Sequence, residues 1–290
     1  MNRARRPRPR RGAALLVAMV LLSVVATLAA GMVWQQWRAV QVETAVRARV
    51  QSLWMLLGAE DWARLLLREA KASPVVLGDA WATPLAETRL SSFLAIDREN
   101  NADSGPEAFL SGRIDDAQAR YNLRNLIVDN HVDPRQLQIL GRLCSSVGLG
   151  PDTAQRLAAG LLASQQTDAG EAAPLPPQRL EDLAWLGLQP EVLTRLGLVA
   201  VLLPAPTPVN LNTASREVLA GVVEGLDLGS ADRLVAARSR SSLASLADVK
   251  AVIGEGPKLN EREVDVKSTF FEVRGRLRLD DRMVESRSLV

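Results

Sequence analysis

The sequence predicts an α+β protein in three parts: a long N-terminal helix, an antiparallel sheet, and a large α-helical segment inserted between strands of that sheet. Three observations carry this. Residues 13–33 contain no charged side chain. The block from Gly112 to about Val252 has helical patterning with an internal repeat. Stretches that read as strands flank that block on both sides, so the helices are an excursion from one sheet. With 290 residues and 47% apolar content there is ample material for a core.

The N-terminal run comes first. From Ala13 to Val33 the only polar side chains are Ser23 and Thr27. As a helix rising ~1.5 Å per residue the run is about 30 Å long, the thickness of a bilayer's hydrocarbon core. Arg3, Arg5, Arg6, Arg8, Arg10 and Arg11 precede it, an excess that holds the N-terminus on the cytoplasmic side and sends the rest of the chain across. Trp34 and Trp37 fall where interfacial aromatics belong. A cleaved secretory signal has a shorter apolar region, ~7–15 residues, and Thr27-Leu28-Ala29 is only a passable cleavage site. A plain anchor explains the arginines and the hydrophobicity but not Gly12 at the point where charge stops.

Beyond the span the helix continues. Val42, Val46, Val50, Leu53 and Leu57 recur on one helix face, while Arg47, Arg49 and Gln51 occupy others. No proline interrupts before Pro74. Glu87 to Leu94 and Phe109 to Ile114 read as strands. Between them Asp97, Glu99, Asn101 and Asp103 place oxygen atoms at alternate positions, as hard-cation loops do, so calcium is the candidate metal. Ala102 and Ala108 stand where an EF-hand loop has its glycine and its bidentate glutamate, and a solvated acidic loop explains the same residues.

In the helical block, Gly148-Leu149-Gly150-Pro151-Asp152-Thr153-Ala154-Gln155-Arg156-Leu157 aligns without a gap on Gly225-Leu226-Asp227-Leu228-Gly229-Ser230-Ala231-Asp232-Arg233-Leu234. Tyr121-Asn122-Leu123 precedes the first copy and Val209-Asn210-Leu211-Asn212-Thr213-Ala214 the second, with the asparagines and Thr213 read as helix caps. Thr167 to Pro177 and Pro204, Pro206 and Pro208 are spacers, bridged by a helix pair from Leu180 to Leu198. At the C-terminus Phe271, Val273, Leu277 and Leu279 alternate with charged residues, and Asp280-Asp281 turns the chain into Met283 to Val290.

Arg10-Arg11-Gly12 followed by Ala13-Ala14-Leu15-Leu16-Val17 resembles the leader of type IV pilins and type II secretion pseudopilins. The resemblance implies cleavage by a prepilin peptidase between Gly12 and Ala13, N-methylation of Ala13, and retention of the helix in a fibre. Most members carry Glu at the fifth mature position, where this chain has Val17. A carboxylate there costs ~2.5–3.5 kcal/mol on insertion scales and needs a neighbour's N-terminal ammonium. Its absence, with the Gly112 to Gln118 segment, Pro208 to Ala214 and Phe270 to Leu279, makes the chain similar to the minor pseudopilin family called general secretion pathway protein K. That resemblance implies a non-enzymatic subunit at the pseudopilus tip, with Val17 fixing its position and Val42, Val46, Val50, Leu53 and Leu57 facing partners. The implied partners are two other minor pseudopilins, the major pseudopilin, the prepilin peptidase and the inner-membrane assembly platform. It also implies a pilin-like sheet, a single-pass inner-membrane location with the bulk periplasmic, and no required cofactor, calcium being held by some members.

The corresponding divisions are 1–12 leader, 13–74 transmembrane and stalk helix, 75–116 first part of the sheet, 117–165 first helical unit, 166–208 linker, 209–254 second unit and 255–290 closing strands. The repeats also resemble helix-hairpin-helix units, and Asn210 to Ser215 resembles the opening of membrane-anchored DNA-uptake proteins, which makes DNA binding the rival function. Charge weighs against it. Asp227 replaces the last glycine of the second hairpin, and neither hairpin carries a basic cluster. The pI of 9.0 is no support, since removing the six leader arginines and adding a new α-amino group leaves a formal charge of about −3. His131 and Cys144 are the only residues of their types, so no metal-ligand spacing, and no internal disulfide, can be built from them. His131 reads as a loop residue and Cys144 as a small buried apolar one.

Overall fold

The computed structural model describes residues 13–70, 74–90, 107–165, 174–279 and 282–290. The chain divides into two compact units, Met1–Met55 and Leu56–Val290. Helix α1, Ala13–Ala70, contributes to both.

Within the first unit, α1 is long and apolar enough to cross a membrane. Its two hydroxyls do not break the apolar run, because Ser23 donates to the Val20 carbonyl and Thr27 to that of Val24, each at 2.9 Å. Arg38 lies over the Trp34 ring at 5.8 Å from its centroid, a pairing suited to a polar boundary.

The second unit holds one antiparallel four-stranded sheet, ordered β1 (Leu85–Arg89), β2 (Ala108–Asp116), β9 (Phe271–Leu279) and β10 (Arg282–Leu289). The central pair is continuous from Ala108↔Leu279 to Asp116↔Phe271. The strands before and after the insertion are therefore direct neighbours. Period-2 alternation sets the faces: Leu110 and Leu277 are buried, whereas Arg278 covers the Phe109 ring at 4.1 Å and pairs with Glu87 at 2.7 Å. Gly112 and Gly275 stand opposite each other in the middle of the sheet. A Cβ on Gly112 would meet the Arg274 carbonyl at 2.7 Å, so this position needs glycine for close approach, while one on Gly275 would press on the Leu56 side chain of α1 at 3.2 Å. Leu67 of α1 packs with Val75, Trp81 and Phe271, the two rings edge to face at 5.2 Å.

Several expectations shift. The first strand is Leu85–Arg89, not Glu87 to Leu94, whose last four residues lie outside the described ones. The second extends to Asp116, so Gly112 is mid-strand and the insertion begins at Ala117. The insertion also contains three short strand pairs: β3 (Tyr121–Asn122) with β6 (Ala200–Val201), β4 (Ile127–Val128) with β5 (His131–Val132), and β7 (Val209–Asn210) with β8 (Val264–Asp265). His131 thus belongs to a hairpin strand. Asp129 and Asn130, both at positive φ, form the turn before it.

The helices of the insertion are α2 (Pro134–Ser146), α3 (Asp152–Gln165), α4 (Pro190–Leu196), α5 (Arg216–Val222), α6 (Leu228–Arg240) and α7 (Leu246–Ile253). Leu180–Leu186, expected as half of a helix pair, is a 3-10 turn ended by Gly187 at φ 83°. The repeat is visible as α2–turn–α3 and α5–turn–α6, with Gly148 at φ 71° and Gly225 at φ 82° at equivalent positions, and Leu149 and Leu226 buried behind them. Both pairs share one apolar core. Where α2 crosses α5, a Cβ on Gly221 would fall 2.3 Å from Leu143, and the Gly221 carbonyl accepts from Arg142 at 2.8 Å.

Candidate functional site

The expected interface residues Val42, Val46, Val50, Leu53 and Leu57 are all exposed on α1, as is Val17. Ala13 opens the helix. Gly12 and the loop residues Asp97, Glu99, Asn101 and Asp103 lie outside the described residues. Among the described residues no cluster of three or more His, Cys, Asp or Glu could hold a metal ion. Burial pushes the Cys144 thiol up to about 11, which leaves it protonated and inert at neutral pH.

Two buried polar junctions fasten the insertion to the sheet. The first centres on Asp116, where β2 ends. Its carboxylate accepts from Thr213 Oγ1 at 2.6 Å, Ser268 Oγ at 2.7 Å, Asn210 Nδ2 at 2.9 Å and the Gln118 amide at 2.8 Å. Asn210 also donates to the Val75 carbonyl at 3.1 Å and to Ser268 at 2.9 Å, while its Oδ1 accepts the Asn212 amide. One carboxylate thus gathers the way out of the sheet, the start of the second repeat and the way back. Burial pushes the Asp116 carboxyl above its usual range against the pull of these donors.

The second junction centres on buried Glu272 of β9. Arg120 binds it at 3.0 Å, Arg274 at 2.6 Å and Arg287 at 2.5 Å. Arg120 also donates to the Gly197 carbonyl, and Arg287 reaches Glu181 at 2.9 Å, so both ends of the arginine set hold the insertion. Burial raises the Glu272 pKa, but the three guanidiniums outweigh it and hold the carboxyl below its ordinary value.

Of the asparagines that read as helix caps, Asn122 does cap the 3-10 turn Leu123–Leu126, and all of them also bind over longer distances. Asn122 donates to the Ala205 carbonyl and to Thr207 Oγ1, and accepts from the Arg124 and Leu203 amides. Asn212 exchanges both side-chain bonds with the Leu243 backbone. The α-helices are capped by Asp133, Ser215, Asp227 and Ser245. Asp227 accepts the Ser230 amide at 2.6 Å, which lowers its pKa and fills the N-terminus of α6 with the chain's own anion. Asp152 sits likewise in the first turn of α3.

Between α1 and the sheet lies a cavity of about 260 Å³, lined by Leu56, Ala59, Trp62, Ala63, Leu66, Trp81 and Leu110 among others. It is open to solvent on one side, and its margin carries Glu60, Ser111, Arg113 and Ser288. Part of this arrangement is legible in the strand pattern. Asp116 shares the inward phase of Leu110, Gly112 and Ile114 on β2, so an acidic residue on a buried face was detectable. Glu272 lies on the opposite phase from Phe271 and Leu277, and the cavity depends on how helix and sheet meet.

The family model for type II secretion system protein K matches residues 209–267, the segment that carries Asn210, Thr213 and the strand pair β7–β8. Type II secretion system protein K of Pseudomonas aeruginosa is 30% identical over 95% of this chain and 86% of its own length. The protein of that name from Pectobacterium carotovorum subsp. carotovorum is 26% identical over 97% of this chain and 92% of its own. A crystal structure of the GspK-GspI-GspJ complex from the enterotoxigenic Escherichia coli type 2 secretion system has a chain of like fold, with a TM-score of 0.63 at 17% identity, covering 84% of this chain and 92% of that one. Sequence likeness along nearly the whole length, at 30% identity, places this chain in the type II secretion system protein K family.

Proposed function

We propose that this chain is a minor pseudopilin that sits at the tip of the pseudopilus, initiating and capping the fibre through which folded proteins leave the periplasm. The observation that carries the reading is the firm attachment of a roughly 150-residue insertion to the sheet at Asp116 and Glu272. A bulky, fixed head is hard to place along a packed shaft and unconstrained at an end. Val17 supports the same placement, since an apolar fifth residue has no need of an ammonium above it. The apolar stripe Val42 to Leu57 then meets two other minor pseudopilins, the counterparts of GspI and GspJ in the related complex.

In this reading the sheet is the pilin-like part, the repeats are helix-hairpin-helix modules used for assembly, and the bulk of the chain is periplasmic. The major pseudopilin, the prepilin peptidase and the assembly platform are further partners. Carboxylates at the starts of α3 and α6 speak against phosphate binding by the hairpins. Processing between Gly12 and Ala13, with methylation of Ala13, is expected; intact mass of the membrane-extracted protein checks it, and an N-terminus near Ala30 would refute it. Immunogold labelling tests the placement. Label confined to fibre ends is expected, and label along the shaft would overturn the tip assignment.

A further inference from the structure

We infer that the cavity between α1 and the sheet is a receptor for one large apolar side chain from a partner's helix. The inference rests on the reading above that partner helices pack along α1. Its walls are mostly apolar, with Glu60, Ser111, Arg113 and Ser288 at the margin where it opens to solvent. At about 260 Å³ it has room for a leucine or aromatic side chain. Water that enters it meets mostly apolar walls, so an apolar side chain that displaces this water is favoured.

The surroundings select a helix over a lone hydrocarbon chain. Trp62 lines the cavity and is 40% exposed, and Leu57 and Leu65 stand exposed on the same stretch of α1. A partner helix covers these residues while seating one side chain inside; a single acyl chain fills the cavity and leaves them in water. The rim is polar and ordered, with Arg64 joining Glu60 at 2.5 Å and Asp61 at 2.7 Å, and Ser288 donating to Glu60 at 2.9 Å. An apolar centre within a polar rim is the anatomy of a protein interface.

The test is to fill the cavity from within, using full-length processed protein in detergent, alone and co-expressed with the two partner minor pseudopilins. Ala59→Phe is expected to raise the melting temperature of the isolated chain and lower recovery of partners at least tenfold, with Ala63→Leu doing the same to a smaller degree. Should Ala59→Phe fail to fold, Ala63→Leu decides. Stabilisation with undiminished partner recovery would overturn the inference; if Val50→Asp abolishes the complex in the same assay, the helix-packing reading survives that failure. A fall in melting temperature for both fillings would show that no space exists. An acyl chain found by mass spectrometry of the purified protein, and lost in Ala59→Phe, would assign the cavity to lipid and likewise overturn the inference.

Discussion

Asp116 and Glu272 do the same mechanical work with opposite electrostatics. Asp116 is met by hydroxyl and amide donors and carries a raised pKa; Glu272 is met by three guanidiniums and carries a lowered one. A raised folded pKa means the folded state holds the proton more tightly, so the stability it contributes is present below the unfolded value of about 3.9 and is lost as pH rises through the folded value. For Glu272 the sign reverses: its contribution is present above about 4.3 and is lost as pH falls through the depressed value. Glu272→Gln should therefore cost most at neutral pH and least in acid. About 2 kcal/mol is expected, below the fully buried range because Arg274 and Arg287 remain 41% and 51% exposed. Asp116→Asn should compare best with the native chain at neutral pH and worst near pH 3. Chemical denaturation of both variants from pH 3 to 8 checks the two slopes.

At the scale of elements, α1 and the insertion's helices are stabilised differently. Helices α2 and α5 interlock so closely that Gly221 has no room for a side chain, and the repeat survives in their turns because only glycine adopts φ near +80° without strain. Helix α1 is instead exposed along the Val42 to Leu57 stripe, and around Gly58 there is open space. A charge on that stripe has little to disturb in the isolated chain. Val50→Asp is thus expected to change its stability by no more than about 0.5 kcal/mol, yet to abolish co-purification of the partner pseudopilins. Intact recovery of both partners would remove the stripe from the interface.

For the molecule as a whole, the charges at the two hairpins disfavour an anionic ligand. Asp227 caps α6, Asp152 opens α3, and Arg195 donates to the Gly148 carbonyl. Duplex DNA should therefore bind no more tightly than to ordinary surface arginines. Fluorescence anisotropy at physiological salt is expected to show no saturable binding, whereas micromolar binding that weakens steeply with added salt would restore the DNA-uptake reading.

What the sequence determined by itself was whatever local pattern can encode. The uncharged run 13–33, the stripe on α1, the hairpin glycines and the strands on both sides of the insertion all follow from periods of 3.6 and 2 and from turn chemistry within about ten residues. Strand limits shifted by one to five residues; pairing with β9 rather than propensity extends β2 to Asp116. The short strand pairs β3–β6 and β7–β8 join residues more than 50 positions apart, and no local pattern signals them. The same holds for the long-range roles of Asn122 and Asn210: Asn122 caps its turn as its sequence suggests, but both also hold segments about 80 to 135 residues distant. Only the tertiary structure decides which buried donors meet which acid, because a buried polar group takes whichever partner the packed chain brings within 3 Å, however far away it lies in sequence.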